Sequence, residues 1–105
     1  METSCGVVLV NFDAVLLLQY PQGHWDLPKG HVEMTDVDHL ATVRRELGEE
    51  TGITEITFIE NFVERTAYTY RHKGKRMNKE GFWFLAETEQ LDVKISHEHH
   101  SIFLA

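Results

Sequence analysis

Two short apolar runs near the start of the chain predict a β-hairpin. Cys5–Val10 and Ala14–Gln19 consist mostly of aliphatic residues, and Asn11-Phe12-Asp13 separates them. Apolar runs of this length, bounded by turn residues, are typical of mostly buried strands. Tyr20-Pro21-Gln22-Gly23 then breaks the pattern, so we expect a loop from Tyr20 through Pro28.

The segment that follows changes to a helical period. We expect the helix to start at about Asp38, because apolar residues then recur with the i, i+3, i+7 spacing of one helix face: Leu40, Val43 and Leu47. Thr35 and Asp38 are spaced as a capping box ahead of this face. Gly52 suits the end of the helix, since glycine adopts the left-handed conformation that commonly terminates one.

The second half of the chain predicts further strands. Thr54–Phe62 and Val63–Tyr70 are rich in β-branched and aromatic residues, and Gly81–Glu87 is a strong strand candidate after a turn at His72–Lys75. A last strand is expected at Ile102–Leu104. One helix among about six strands predicts a single α/β domain over residues 1–105, with a central mixed sheet that needs helical cover on both faces.

The predicted helix carries three carboxylates on one side. Glu46, Glu49 and Glu50 are spaced i, i+3, i+4, so their side chains project together and repel one another. A hard divalent cation would relieve that repulsion, and ligands that offer only oxygen suit Mg²⁺ or Mn²⁺ rather than zinc. The alternative is an ordinary solvated helix, on which Arg45 and Glu49 form an ion pair of little energetic value.

The residues around this helix resemble the Nudix box, G-x5-E-x7-R-E-U-x-E-E-x-G-U, in which U is aliphatic. The matching positions are Gly30, Arg45, Glu46, Leu47, Glu49, Glu50, Gly52 and Ile53. Where the family has its first Glu, this chain has Asp36, and eight residues instead of seven separate Asp36 from Arg45. We expect the extra residue to lie in the loop before the helix. The resemblance implies a Nudix fold, an α/β/α sandwich whose usual last helix is absent or truncated here.

Three further segments resemble the asymmetric diadenosine tetraphosphate hydrolases, a group within the Nudix family. They are Gln19–Glu33 with its His24-Trp25 pair, the Tyr68-x-Tyr70 strand with Phe82–Glu87, and Ser96–His99. The resemblance implies a metal-dependent pyrophosphohydrolase that cleaves dinucleoside polyphosphates. Diadenosine tetraphosphate would give ATP and AMP by attack of water on phosphorus.

The same resemblance implies a role for each site residue. Mg²⁺ or Mn²⁺ would be held by a backbone carbonyl near Gly30 and by the carboxylates of Glu46, Glu49, Glu50 and Glu98. The general base would be Glu46 or Glu98, a choice that the sequence leaves open. Arg45 would orient the helical carboxylates through a bidentate contact.

Cations and aromatic rings elsewhere are candidates for substrate binding. His24, Lys29, Lys73 and Lys75 would hold phosphate oxygens away from the cleaved bond. Adenine would stack on one or more tyrosines: Tyr20, Tyr68 and Tyr70. Each set has a simpler explanation. The lysines would then be ordinary surface residues, and Tyr68 and Tyr70, which share a strand face, would form a patch of the core.

Composition and charge indicate the cellular compartment and limit the classes of binding partner. Cys5 is the only cysteine, so no intrachain disulfide is possible and we expect a cytoplasmic protein. The longest apolar runs are too short to span a bilayer, so we expect no membrane association. A net charge of −7 argues against bulk attraction to nucleic acid, except to an RNA 5′ end as substrate. The oligomeric state stays open.

Other functions would use the same helix. Within the Nudix family the alternatives are a diphosphoinositol polyphosphate, an RNA 5′ triphosphate end, a nucleotide sugar or an oxidised nucleotide as substrate. A non-catalytic nucleotide-binding domain on the same fold is a further alternative. The presence of all three helical carboxylates disfavours that last interpretation.

Overall fold

The computed structural model describes residues 2–90 and 101–104. These ranges contain one helix and seven strands, in the order β1 (Glu2–Asn11), β2 (Ala14–Gln19), β3 (Trp25–Asp26), β4 (Lys29–His31), α1 (His39–Thr51), β5 (Thr57–His72), β6 (Lys75–Glu87) and β7 (Ser101–Leu104). Within them, no helix is both long enough and apolar enough to cross a membrane.

The strands form a mixed sheet, as predicted. Its main order is β3-β2-β1-β6-β5, with β4 also paired to β1 and β7 to β2. β1 and β6 run parallel, whereas the other pairs are antiparallel. A parallel pair needs a long crossover connection, and α1 lies in the chain between β1 and β6.

Local sequence sets both ends of α1. The Asp38 carboxylate accepts a hydrogen bond from the Ala41 N–H at 2.7 Å, and the helix ends at Gly52, whose φ of 76° is left-handed. The predicted start near Asp38 and end at Gly52 are therefore confirmed. The capping box with Thr35 is wrong, because Asp38 itself is the N-cap residue.

α1 packs one side on the sheet and forms the core with it. Val43 and Leu47 are buried among residues of the sheet and of the segment after the helix: Cys5, Val7, Leu9, Leu16, Ile53 and Ala86. Leu40 was expected in the same stripe but is 37% exposed. It lies in the first helical turn, where the neighbouring His39 ring packs on Phe82 of β6 instead.

The second half of the chain differs from prediction in strand length. The two strands expected over 54–70 form one strand, β5, with an irregularity in its pairing between Phe58 and Val63. β6 begins at Lys75, well before the expected Gly81, and the turn at Lys73-Gly74 joins it to β5. The predicted loop over 20–28 contains β3, and β4 follows it. Both were missed because strands of two or three residues leave no periodic pattern.

Candidate active site

Gly30 and Glu46 are in direct contact. β4 pairs with β1 so that Gly30 lies opposite Cys5, on the sheet face that packs against α1. A Cβ atom built at Gly30 would overlap the carboxyl carbon of Glu46, so only glycine leaves room for this carboxylate. Burial raises the pKa of Glu46 above its usual range, and the nearby charges of Glu49 and Glu33 add to the effect while Arg45 opposes it.

Arg45 ties the helical carboxylates to β4. Its Nη1 donates to Glu46 Oε1 at 2.8 Å and to Glu49 Oε1 at 3.0 Å, and its Nη2 donates to the backbone carbonyl of His31 at 2.9 Å. Arg45 is therefore in contact with two of the three helical carboxylates predicted to bind metal, and it also fixes the strand that contains Gly30.

The bidentate contact of Arg45 is with Asp36. Nε donates to Oδ1 at 3.0 Å and Nη2 donates to Oδ2 at 3.1 Å. The prediction that this two-point contact joins Arg45 to a helical carboxylate is wrong, because Glu46 and Glu49 each receive a single bond from Nη1. Asp36 lies in the loop before α1, which begins at His39.

Asp36 has further donors that the sequence did not reveal. Its Oδ2 also accepts from the Glu33 N–H at 2.9 Å and from the Thr42 hydroxyl at 2.9 Å. The hydrogen bonds from Arg45 are the largest cause that holds the pKa of Asp36 well below its usual range. The only signal for Thr42 was a polar residue next to Val43 in the apolar stripe, a pattern too common to indicate a role.

Glu50 and Tyr20 lie on the inner side of the cluster. Glu50 is 5% exposed, on the face of α1 that also buries Leu47. Burial raises the pKa of Tyr20 above its usual range, and the negative charge of Glu50 is the next cause, followed by that of Asp26. Tyr20 is therefore close to the helical carboxylates, and its hydroxyl donates to the Leu27 carbonyl at 3.3 Å.

Two other predicted substrate-binding residues lie beside Tyr20. The His24 ring stacks on the Tyr20 ring, with centroids 5.2 Å apart and planes 5° from parallel. Lys29 precedes Gly30 on β4, and its Nζ lies 2.9 Å from Asp26 Oδ2. The structure thus brings an aromatic pair and a cation to the edge of the carboxylate cluster.

The remaining substrate candidates lie on the β5–β6 hairpin. The rings of Tyr68 and Tyr70 are 6.1 Å apart, which confirms that they share a strand face. Tyr68 pairs with Lys79 and so lies on the face opposite Phe82, which packs toward α1. At 53% exposure Tyr68 is not a core residue, so the core-patch alternative is wrong for it.

Lys73 and Lys75 are exposed at the tip of the same hairpin. In the described ranges, no hydrogen bond or ion pair joins the two tyrosines or these two lysines to the helical carboxylates. Glu98, predicted as a metal ligand or base, lies outside the described residues.

The side chains around Gly30 and Glu46 offer oxygen donors to a divalent cation. Within the described ranges, no group of three or more His, Cys, Asp or Glu side chains is arranged to hold a metal ion, and Glu46 and Glu49 both contact Arg45 Nη1. The donors available are all oxygens, and they include the buried Glu50 and the carboxylate of Glu46 against Gly30. Donors of this kind fit a hard cation such as Mg²⁺ or Mn²⁺.

Comparison with known proteins places these features in a family. The family model described as NUDIX domain matches residues 2–104. The chain is 39% identical over 92 residues to the asymmetrical bis(5′-nucleosyl)-tetraphosphatase of Mus musculus, and 40% identical over 92 residues to that of Rattus norvegicus. Each alignment covers 82% of this chain and 59% of the relative, so the chain spans about three-fifths of the length of these relatives.

Solved structures agree with this. The crystal structure of a Caenorhabditis elegans Ap4A hydrolase binary complex matches with a TM-score of 0.79 and 33% identity, over 99% of this chain and 79% of that one. The Escherichia coli dihydroneopterin triphosphate pyrophosphohydrolase matches with a TM-score of 0.78 over 96% of this chain and 77% of that one. Its 20% identity shows a common fold alone.

Proposed function

We propose, since this chain belongs to the Nudix family, that it is a pyrophosphohydrolase of dinucleoside polyphosphates that depends on a divalent cation. In this proposal it converts diadenosine tetraphosphate to ATP and AMP. The observation that carries the proposal is the Glu46 carboxylate packed against Gly30 and held by Arg45, with Glu50 buried on the same helix. The activity for which the Mus musculus and Rattus norvegicus relatives are named supports the substrate class.

The cation would be held by oxygen donors on α1 and β4. We assign Glu46, Glu49, Glu50 and the backbone carbonyl of Gly30 to this role, with Glu98 as a further candidate. When bound there, Mg²⁺ or Mn²⁺ would polarise phosphoryl oxygens and lower the pKa of a coordinated water. The repulsion among three carboxylates on one helix face supports this assignment, because a cation relieves it.

Two side chains of the cluster have distinct tasks in the proposal. Glu46 has a raised pKa and is therefore a stronger base than an exposed glutamate, which suits it to accept the proton of the attacking water. Glu98 is the alternative base. Arg45 stays protonated, since the Asp36 contact is the largest cause that raises its pKa, and it fixes the position of Glu46.

Substrate contacts are assigned to two regions. Tyr20, His24 and Lys29 adjoin the carboxylates, so they would contact the phosphate chain and one nucleoside. The hairpin residues are farther away, and they would bind the other end of the dinucleotide: Tyr68, Tyr70, Lys73 and Lys75. A substrate with two nucleosides joined by four phosphates is long enough to need separate regions. A cytoplasmic location belongs to the same proposal and is supported by the single, buried Cys5.

A substrate panel with product identification tests this function. The purified protein is given Mg²⁺ or Mn²⁺ and one candidate at a time: diadenosine tetraphosphate, a diphosphoinositol polyphosphate, a 5′-triphosphorylated RNA, a nucleotide sugar and an oxidised nucleoside triphosphate. We expect the highest kcat/KM for diadenosine tetraphosphate. If the protein clearly prefers another compound of the panel, that compound takes the place of diadenosine tetraphosphate as the proposed substrate. If it hydrolyses none of them, the non-catalytic alternative is favoured.

A further inference from the structure

We infer that Thr42 is a positioning residue: its buried hydroxyl fixes Asp36, and Asp36 in turn fixes Arg45 against Glu46 and Glu49. Thr42 occupies one of the unspecified positions of the Nudix box, so the sequence motif gives it no role. The inference rests on the proposed function for its consequence in catalysis. Its consequence for the geometry of Arg45 is independent of substrate.

The Thr42 hydroxyl has little freedom. The residue is 0% exposed. Its Oγ1 donates to Asp36 Oδ2 at 2.9 Å, a better contact than the 3.4 Å to the Asp38 carbonyl. Burial raises the pKa of the Cys5 thiol on β1, and the neighbouring Thr42 hydroxyl opposes that effect. The hydroxyl therefore joins the helix to the loop that holds Asp36.

Asp36 needs the hydrogen bond from Thr42 because its side chain is short and lies in the loop before the helix. Aspartate is one methylene shorter than the glutamate of the family motif, and it is one residue farther from Arg45 in the chain. Thr42 Oγ1 and the Glu33 N–H both hold Oδ2 at 2.9 Å, which leaves Oδ1 oriented toward Arg45 Nε. The plane of this carboxylate sets the plane of the guanidinium, because the contact between them is bidentate.

The guanidinium of Arg45 in turn fixes the positions of the Glu46 and Glu49 carboxylates. Arg45 Nη1 contacts both Glu46 and Glu49, so a rotation of the guanidinium about its contact with Asp36 moves the atom that holds them. Loss of an outer partner of this kind typically costs roughly 10-fold to 100-fold in metal affinity or activity. We therefore expect Thr42 to affect metal binding without touching the metal.

The test compares Thr42→Val with Thr42→Ser. Valine keeps the branched shape and removes the donor, whereas serine keeps the donor. Thr51→Val is the matched control, because Thr51 is also 0% exposed on α1 and its hydroxyl donates to the Leu47 carbonyl at 2.7 Å, away from Asp36. The control reports what the loss of a buried threonine hydroxyl does to the helix in general.

Two measurements are made on the metal-free and metal-titrated proteins. The first is hydrogen exchange of the Arg45 Nε–H by NMR in chelator, and the second is the Kd for Mn²⁺ by electron paramagnetic resonance. We expect Thr42→Val to speed the exchange and to raise the Kd roughly 10-fold or more. Thr42→Ser should restore both to near the wild-type values, and Thr51→Val should leave both unchanged even if it lowers the melting temperature.

The outcomes separate the inference from the proposed function. The inference would be overturned if a folded Thr42→Val protein kept the wild-type exchange rate of the Arg45 Nε–H and the wild-type Kd for Mn²⁺. It would also be overturned if Thr51→Val changed both quantities as much as Thr42→Val does. The inference would also fail if faster exchange came without a change in Kd, since Arg45 would then not set the carboxylates. If the wild-type protein binds Mn²⁺ but cleaves no dinucleotide, the proposed function is wrong. The comparison of Thr42→Val with Thr42→Ser would still test the inference about Arg45.

Discussion

The carboxyl group of Glu46 lies against the α-carbon of Gly30, in space that the side chain of any other residue would fill. β4 brings Gly30 there by pairing it with Cys5, and α1 brings Glu46 from the other side. The glycine of the motif is therefore required by the close approach between β4 and α1. It is not required by a turn, since Gly30 lies within a paired strand.

Gly30→Ala tests this relationship. We expect the added methyl group to displace Glu46, lower the melting temperature and weaken Mn²⁺ binding, because overpacking of this kind costs about 1–3 kcal/mol. Gly48→Ala is the control: a Cβ at Gly48 meets no atom within 4 Å, and alanine in a helix interior is about 0.5–1 kcal/mol more favourable than glycine. Calorimetry and a Mn²⁺ titration measure both effects. Wild-type metal affinity in Gly30→Ala would contradict the account.

Asp36 predicts a loss of stability in acid. Its pKa is held well below the usual range of an aspartate by Arg45, so below about pH 5 the unfolded state binds more protons at this site than the native state does. The stabilisation is present above the unfolded pKa and is lost as the pH falls toward the folded pKa. We expect the free energy of unfolding to fall less between pH 5 and pH 3 in Asp36→Asn than in wild type.

Urea unfolding at several pH values measures that difference in slope. The pKa of Glu80 is also lowered, mainly by Arg65, and its contribution has the same sign in both proteins, so it cancels in the difference. Parallel curves for wild type and Asp36→Asn would show that the bidentate contact is not maintained in solution.

Tyr70→Ala tests base stacking on the hairpin. Stacking acts in the ground state and the transition state alike, so its loss should raise KM more than it lowers kcat. We expect KM for diadenosine tetraphosphate to rise about 10-fold, since stacking is worth roughly 1–3 kcal/mol per base. Thr69→Ala is the control, because Thr69 lies on the other strand face and bonds Asn78. Unchanged KM for alanine variants of Tyr20, Tyr68 and Tyr70 would remove the tyrosines from the site.

Glu50→Gln separates a metal site from a solvated helix. Metal-free wild type carries repulsion among three carboxylates, so the variant should be as stable in chelator or slightly more stable. A cation at 100-fold above its Kd adds about 2.7 kcal/mol to wild type, and the variant should lose most of that gain together with activity. Glu60→Gln, an exposed charge on β5, should keep both. If Mg²⁺ and Mn²⁺ leave the melting temperature of the wild-type protein unchanged, the result favours the interpretation of α1 as an ordinary solvated helix.

The sequence predicted those structural elements that are determined by residues close together in the chain. β1, β2, both ends of α1 and the close grouping of Gly30, Arg45 and Glu46 follow from apolar period, capping residues and motif. β4 could not be predicted, because three residues become a strand only by pairing with β1. The contacts of Asp36 were missed for a similar reason. They depend on how the loop returns to the helix, and Thr42 reaches Asp36 only after folding.

The products of diadenosine tetraphosphate hydrolysis test the central claim most directly. The carboxylate cluster lies at one end of the residues proposed to bind substrate, beside Tyr20 and far along the sheet from the hairpin tip, so the reacting phosphorus should be off-centre. Chromatography of a reaction in Mg²⁺ should give ATP and AMP in equal amounts, and chelator should abolish both. Two molecules of ADP as the main product, or equal hydrolysis in chelator, would contradict the account.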